Sequence, residues 1–398
     1  LEKRRFHRLE FPISVTAELV TADESPRGLP PLHIESRNIS RTGICLETKS
    51  LEIEGVHLLS GAPCARDNRL HLTIRLIPDE PPFTAIGEVR WYDVARSATD
   101  CFYQIGIEFL EIKERGKDQL HRSVQLLLLL SRTEFSVDAK RQITGEFEVF
   151  SSWKLFAWLA VRHGVAALVW QNITDLDLAG KVPETERTLL EGLRFKSIAR
   201  VAWISETAAG VCALLEKKGI RVVLLKGLAL EHTVYGSRGL RQMSDADLLV
   251  APSDALRARD ILAGDSFRSM PLKSPLYKHI ILDLGNHLPE MHRGGISVDL
   301  HYRLFGPEAE ESVARAVAEA DTIVAGNEHF RVLPPVIAFL ALVSHIYKHE
   351  VKGEFQLRLW VDIYLLLCKY GSSILTGELY AAAEEAGIAD ETRTVLTV

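Results

Sequence analysis

Hydrophobic and polar positions alternate in short runs through the first part of the chain: Ile13 to Leu19, Ile44 to Thr48, Leu70 to Ile77, Ala85 to Tyr92 and Tyr103 to Phe109. Alternation of this kind marks half-buried strands. Turn-forming stretches separate them, such as Ser25-Pro26-Arg27-Gly28 and Pro78-Asp79-Glu80-Pro81-Pro82. Several short strands at this spacing predict a small antiparallel β-barrel or sandwich. A helix is expected next, over Glu114 to Leu130, where the apolar run Leu126 to Leu130 needs a surface to bury it. Residues 133–150 are polar and weakly periodic, so a linker is placed there, between a first domain at 1–132 and a second at 151–398.

The period then changes to that of helices. Ser151-Ser152 stands where it can cap a helix carrying Trp153, Phe156, Trp158 and Leu159. A long amphipathic segment covers Glu186 to Lys218, and Gly219 is a natural stop. Ile220 to Leu225 reads as a buried strand, with Ala246 to Val250 and Ile296 to Leu300 as two more. After Leu333 the pattern is helical again. A β module is therefore expected ahead of an α/β module with a helical tail.

Composition bounds this picture. The chain has 398 residues, 47% hydrophobic and 25% charged, which suits folded multidomain protein and excludes a mostly disordered chain. Strictly apolar runs such as Val336 to Val343 fall far short of a bilayer span, so no transmembrane helix is expected. Lys3, Arg4, Arg5 and Arg8 are followed by no apolar stretch, so no signal peptide is expected; with Leu at residue 1, more chain is expected upstream. The 5 cysteines are scattered with no C-x-x-C pair, which argues against a disulfide framework or zinc ribbon and fits a reducing cytoplasm. A net charge of −6 argues against a broad nucleic-acid-binding surface. A basic start on a mildly acidic chain suggests instead a small anionic ligand.

That start is Arg4-Arg5-Phe6-His7-Arg8, followed downstream by Asn38-Ile39-Ser40-Arg41-Thr42-Gly43. The arginine fork matches phosphate oxygens and the guanine edge, and its face stacks on a purine. Asn38 and Ser40 offer short hydrogen-bonding groups, and Gly43 permits close backbone approach. R-x-x-x-R followed by N-x-S-x-x-G resembles the PilZ family of cyclic di-GMP receptors. Gly87-Glu88-Val89-Arg90-Trp91 and Tyr103 to Phe109 look like that family's later strands, and Asn38 stands where the family often has Asp. The resemblance implies a six-stranded barrel in which Arg4 and Arg8 grip the ligand while Asn38, Ser40 and Gly43 hold its other face. Arg5 and Arg41 would be auxiliary contacts.

A second constellation comprises Leu224-Leu225-Lys226-Gly227, Arg238-Gly239-Leu240-Arg241 and Ser244-Asp245-Ala246-Asp247-Leu248-Leu249-Val250. Carboxylates at i and i+2 of a strand share one face, where their repulsion is costly. A divalent cation removes the cost, and paired oxygen ligands suit Mg²⁺. Asp299, in Ile296-Ser297-Val298-Asp299-Leu300-His301, is a third carboxylate and a candidate base or metal ligand. Gly227 opens a helix whose N–H groups can meet phosphate, with Lys226, Arg238 and Arg241 to neutralise it. These motifs resemble the nucleotidyltransferase superfamily that includes DNA polymerase beta, and more closely its uncharacterised bacterial branch. Leu228 stands where the broad superfamily prefers a second Gly or a Ser. The resemblance implies transfer of a nucleoside monophosphate from NTP to an acceptor, with Asp245, Asp247 and Asp299 as metal ligands and catalytic residues.

His345 and His349 have the i, i+4 spacing of zinc ligands, but no Glu of H-E-x-x-H and no third ligand accompany them. Packing, or contact with substrate in a cleft shared with Arg358, Trp360 and Asp362, is the simpler expectation. The whole reads as a cytoplasmic cyclic di-GMP-responsive protein whose second domain is a Mg²⁺-dependent nucleotidyltransferase. The rival is a non-enzymatic effector in which that domain is a degenerate scaffold for a protein partner. A barrel edge and the Leu126 to Leu130 run are candidate homodimer surfaces.

Overall fold

The computed structural model describes residues 8–10, 13–21, 24–40, 43–54, 56–58, 69–76, 82–96, 101–112, 114–269, 285–306, 310–351 and 355–397. The chain divides into two compact units, one built on residues up to Leu128 with Glu148–Leu159, the other on Leu129–Phe147, Ala160–Lys352 and Gln356–Val398.

The first unit contains β1 (Arg8–Glu10), β2 (Ser14–Val20), β3 (Leu32–Ser40), β4 (Gly43–Thr48), β5 (Glu52–Ile53), β6 (Val56–His57), β7 (Arg69–Arg75), β8 (Phe83–Arg96) and β9 (Cys101–Ile112). The sheet order β3-β2-β7-β8-β9-β4 closes through the β3–β4 pair into a six-stranded antiparallel barrel, with β1 added along β3. Val15, Ala17 and Leu19 of β2, Leu70, Leu72 and Ile74 of β7, and Ile105 and Ile107 of β9 fill its interior. β3 was not anticipated as a strand, because two of its buried positions are the polar Ser36 and Asn38. Ser36 Oγ is accommodated by accepting the Ile13 N–H at 3.1 Å. The strand runs on through Ser40, so Asn38 and Ser40 both lie on β3.

The helices are α1 (Glu114–Leu130), α2 (Val137–Val149), α3 (Trp153–Arg162), α4 (Ala166–Asp175), α5 (Glu184–Glu216), α6 (Lys226–Thr233), α7 (Ala255–Gly264), α8 (Glu310–Ala318), α9 (Pro335–Val351), α10 (Leu357–Ile374), α11 (Gly377–Glu385) and α12 (Ala389–Leu396). The stretch 133–150, read as a linker, contains α2, which buries only the narrow stripe Ala139, Ile143 and Phe147. Leu126, Leu127, Leu129 and Leu130 are buried within the single chain, and the barrel closes on itself. Leu128 of the same run stays exposed, and β1 ends the sheet order next to β3.

The second unit holds a seven-stranded mixed sheet made of β10 (Val223–Leu224), β11 (Asp245–Leu249), β12 (Arg268–Ser269), β13 (Met291–Arg293), β14 (Ile296–His301), β15 (Asp321–Ala325) and β16 (Glu328–Val332), in the order β12-β13-β14-β11-β10-β16-β15. Only β10, β11 and β14 were legible beforehand; the others are short or carry exposed polar residues. Ala246, Leu248, Ile296, Val298 and Leu300 point into one core with Val201, Ile204, Ala208, Val211 and Leu215 of α5. Helix α5 is long and apolar enough by length and composition to cross a membrane, at mean hydropathy 1.4. No strictly apolar run revealed this, since Arg200 and Glu206 interrupt the sequence, and the apolar residues named pack in that core.

Candidate functional site

The face of the second sheet opposite that core carries the chemistry. β11 runs parallel to β14 with Asp245 opposite Ser297, Asp247 opposite Asp299 and Leu249 opposite His301. Period-two alternation sends the apolar even-numbered residues inward and gathers Asp245, Asp247, Asp299 and His301 on the other side. Lys226, at the start of α6, reaches the same point. Its Nζ donates to Asp247 Oδ1 at 2.5 Å and lies 3.3 Å from His301 Nε2, which is itself 2.8 Å from Asp247 Oδ1. The Lys226 backbone has φ of +45°, a left-handed conformation that costs a side-chain-bearing residue about 1–2 kcal/mol.

Charge state follows from these contacts. Burial works to raise the Asp247 carboxyl, but the hydrogen bond with His301 and the Lys226 charge hold it well below the usual carboxylate range. Asp299 is pushed up to about 6 by burial and by the neighbouring Asp247 charge. Asp245 is raised by the same two causes, with the Ser244 hydroxyl donating to it at 3.2 Å. Burial lowers His301 to about 4, so the ring is neutral near pH 7, with Nε2 in hydrogen-bond reach of both Asp247 Oδ1 and Lys226 Nζ.

Donor chemistry fits a divalent cation. Asp247, Asp299 and His301 each place a ligand atom within 4.8 Å of the others. Asp299 Oδ1 is buried with no hydrogen-bond partner, the state of an oxygen that wants a cation. Asp245, expected as a co-equal ligand, lies outside that trio, one pleat back along β11. His301, inside it, had been read only as part of V-D-L-H.

The expected phosphate contacts separate. Lys226 is at the acids. The Arg241 guanidinium is buried against Asp362 in a 2.8 Å ion pair, and Tyr235 donates to the same carboxylate at 2.8 Å. Burial opposes the Arg241 charge, yet the Asp362 carboxylate raises its pKa. Arg241 therefore serves as an internal brace here. Gly227 lies under that brace, since a Cβ on it would stand 2.5 Å from Arg241 Nη1. Arg238 turns to Asp175 of α4 at 3.8 Å. The loop between α6 and β11 is held by Glu231, which accepts the N–H groups of Gly239 (2.5 Å) and Arg241 (2.8 Å), and by Arg194, which donates to the Arg238 and Gly239 carbonyls. Sequence reasoning missed Glu231 and Arg194, although an acid in the apolar run Leu228-Ala229-Leu230-Glu231 signals a buried partner.

Beside the acids lies a cavity of about 540 Å³, lined among others by Lys226, His301, Arg303, His345, Lys348 and Tyr370. Burial and the Lys226 charge lower His345 to about 3, and its ring packs edge-on against His349 at 4.7 Å. Among the described residues no third metal-ligating group joins this pair. Arg358, placed in the cleft beforehand, donates to the Gln242 carbonyl at 2.7 Å.

In the barrel, β1 runs antiparallel to β3 with Arg8 opposite Ser40 and Glu10 opposite Asn38. The backbone thus brings the second arginine of R-x-x-x-R to N-x-S. Asn38 is buried, and Gly43 is required by close approach, because a Cβ would lie 2.4 Å from the Ile107 carbonyl oxygen of β9. Arg4, Arg5 and Arg41 lie outside the described residues.

A PilZ domain model matches residues 2–126 and an uncharacterised nucleotidyltransferase model residues 151–398. No curated protein matches the chain. Among solved structures, the inhibitor of motility MotI/DgrA of Bacillus subtilis is 20% identical over 30% of this chain at a TM-score of 0.21, and the chain spans about half (48%) of that protein's length. The PilZ domain of YcgR from Escherichia coli, in a structure with c-di-GMP, is 14% identical, with 30% of this chain and 87% of that one covered at a TM-score of 0.23. The antibiotic-resistance factor ANT(2'')-Ia is 14% identical, with 49% and 98% covered at a TM-score of 0.34. The chain belongs to the uncharacterised nucleotidyltransferase family through residues 151–398, and it carries a PilZ domain ahead of that region.

Proposed function

We propose that this is a cytoplasmic, cyclic di-GMP-responsive nucleotidyltransferase, in which the barrel binds the dinucleotide and the second unit transfers a nucleoside monophosphate from NTP to an acceptor hydroxyl, releasing pyrophosphate. The observation that carries the reading is the register of β11 on β14, which sets Asp247 beside Asp299 and leaves Asp299 Oδ1 buried without a partner. Asp247 and Asp299, with Asp245 behind them, would hold the Mg²⁺. When bound, such an ion polarises phosphoryl oxygens and offsets the repulsion between the carboxylates. Asp299, with its raised pKa, is placed to accept the proton of the acceptor hydroxyl. Lys226 lines the cavity that would receive the substrate, and Arg241 keeps the Gly227 turn in place through Asp362. In the barrel, Arg4 and Arg8, aided by Arg5 and Arg41, would grip the dinucleotide against Asn38, Ser40 and Gly43.

The test is transfer of label from each α-labelled NTP in cell extract with Mg²⁺, with and without cyclic di-GMP, against Asp247→Asn and Asp299→Asn. Label that requires both carboxylates and responds to cyclic di-GMP supports the reading. Cyclic di-GMP binding with no transfer from any NTP would sink catalysis.

A second reading, a non-enzymatic effector with a degenerate scaffold that docks a protein, draws on one observation. Two of the four groups expected at phosphate, Lys226 and Arg241, are paired with Asp247 and Asp362 inside the protein.

A further inference from the structure

Asp247 and Asp299 lie abreast, and the third group within reach of both is an imidazole rather than a carboxylate. The strand register explains this. With Asp247 opposite Asp299, His301 comes two residues further along β14 on the same face, whereas Asp245 falls one pleat behind, opposite Ser297. The His301 ring is 6% exposed and aims Nε2 inward, 2.8 Å from Asp247 Oδ1. Two of the three already face a cation: the Lys226 ammonium stands 2.5 Å from Asp247 Oδ1 and 3.3 Å from His301 Nε2. An ammonium donates and has no lone pair to offer, so a ring nitrogen that faces it is in a position to present its own lone pair to a cation.

We propose that His301 is a metal ligand, and that with Asp247 and Asp299 it makes a site for a borderline divalent ion, Mn²⁺ in preference to Mg²⁺, where Asp247 and His301 face the Lys226 ammonium in this structure. Mg²⁺ is hard and takes oxygen ligands, so a site of Asp245, Asp247 and Asp299 alone would favour it. Carboxylates suit both ions, but imidazole nitrogen shifts preference towards first-row transition ions. Neutral imidazole carries one proton, which moves to Nδ1 when Nε2 is used for coordination. Two cations cannot share so small a space, so Lys226 competes with the metal and turns away when the metal enters. The inference rests on the proposed function only in placing a divalent cation at these acids; it does not require that transfer occurs.

The test titrates the full chain with Mn²⁺ and reads the bound ion by electron paramagnetic resonance, with spin-echo modulation to detect a directly coordinated nitrogen. The expected result is nitrogen modulation in the wild type that disappears in His301→Asn, with Mn²⁺ affinity lower by about tenfold or more. Mg²⁺ should displace the bound Mn²⁺ only in large excess, and Lys226→Met should bind Mn²⁺ more tightly. If His301→Asn does not fold, the wild-type spectrum decides. Bound Mn²⁺ without nitrogen modulation, mole-for-mole displacement by Mg²⁺, or no bound Mn²⁺ at all overturns the assignment. Label transfer with an all-oxygen spectrum would sink this inference and leave the proposed function standing. A nitrogen-coordinated ion in a chain that transfers no label would do the reverse.

Discussion

In the barrel, Arg8 reaches Ser40 through an antiparallel backbone pairing of two strands, and the described candidate contacts Arg8, Asn38, Ser40 and Gly43 sit on the neighbouring strands β1, β3 and β4. In the second unit, Asp247 reaches Asp299 through parallel strands, and the groups around them are locked by buried charge: Arg241 on Asp362, Glu231 on the loop N–H groups, Lys226 on Asp247. A backbone ladder is enough to bring the ends of two sequence motifs together. Holding carboxylates of like charge side by side takes compensating groups from several distant elements, because each buried charge left alone costs several kcal/mol.

The strongest test of that contrast is Asp362→Ala. It leaves the buried Arg241 uncompensated and should cost the second unit about 3–5 kcal/mol in denaturant unfolding, while cyclic di-GMP binding by the barrel is unchanged. Arg8→Ala should do the opposite. Losing one charge-assisted contact worth about 1.5–3 kcal/mol weakens cyclic di-GMP binding by about 10- to 100-fold in calorimetry, without altering the stability of the second unit. Gly43→Ala forces a Cβ against the Ile107 carbonyl and should destabilise barrel closure by about 1–3 kcal/mol, read by thermal melting.

A smaller effect depends on pH. The folded Asp299 carboxyl, at about 6, binds its proton more tightly than the unfolded one. Its contribution to stability is therefore greatest at low pH and is lost as pH rises from the ordinary carboxylate range through about 6. Asp247, held low, contributes in the opposite sense and loses its contribution as pH falls. Asp299→Asn should remove the decline on the rising side and leave the acid limb in place; an unchanged profile would show that Asp299 does not titrate there. The smallest effect is expected at Arg315→Ala, whose exposed pair with Glu385 at 2.8 Å should be worth about 0.2–1 kcal/mol and should fade in high salt.

Much of the fold was legible before the structure. Period-two runs marked five of the barrel strands, and a helical stripe marked α5, because burial on one face writes itself directly into residue order. β3 escaped because Ser36 and Asn38 are buried polar residues, and β15 escaped because its residues are largely exposed. Asp245, Asp247 and Asp299 were visible as acids on apolar strands, and Lys226 as a cation at a strand-to-helix turn.

Residue order by itself determined which strands would carry the acids and which face those acids would share, since that follows from local periodicity alone. Tertiary structure decided their partners. Whether Arg241 meets a ligand or Asp362, and whether Asp245 or His301 stands with Asp247 and Asp299, depends on strand register and on where each buried charge finds its counter-charge. Both are set by contacts between segments far apart in the chain, and neither leaves a mark in local periodicity.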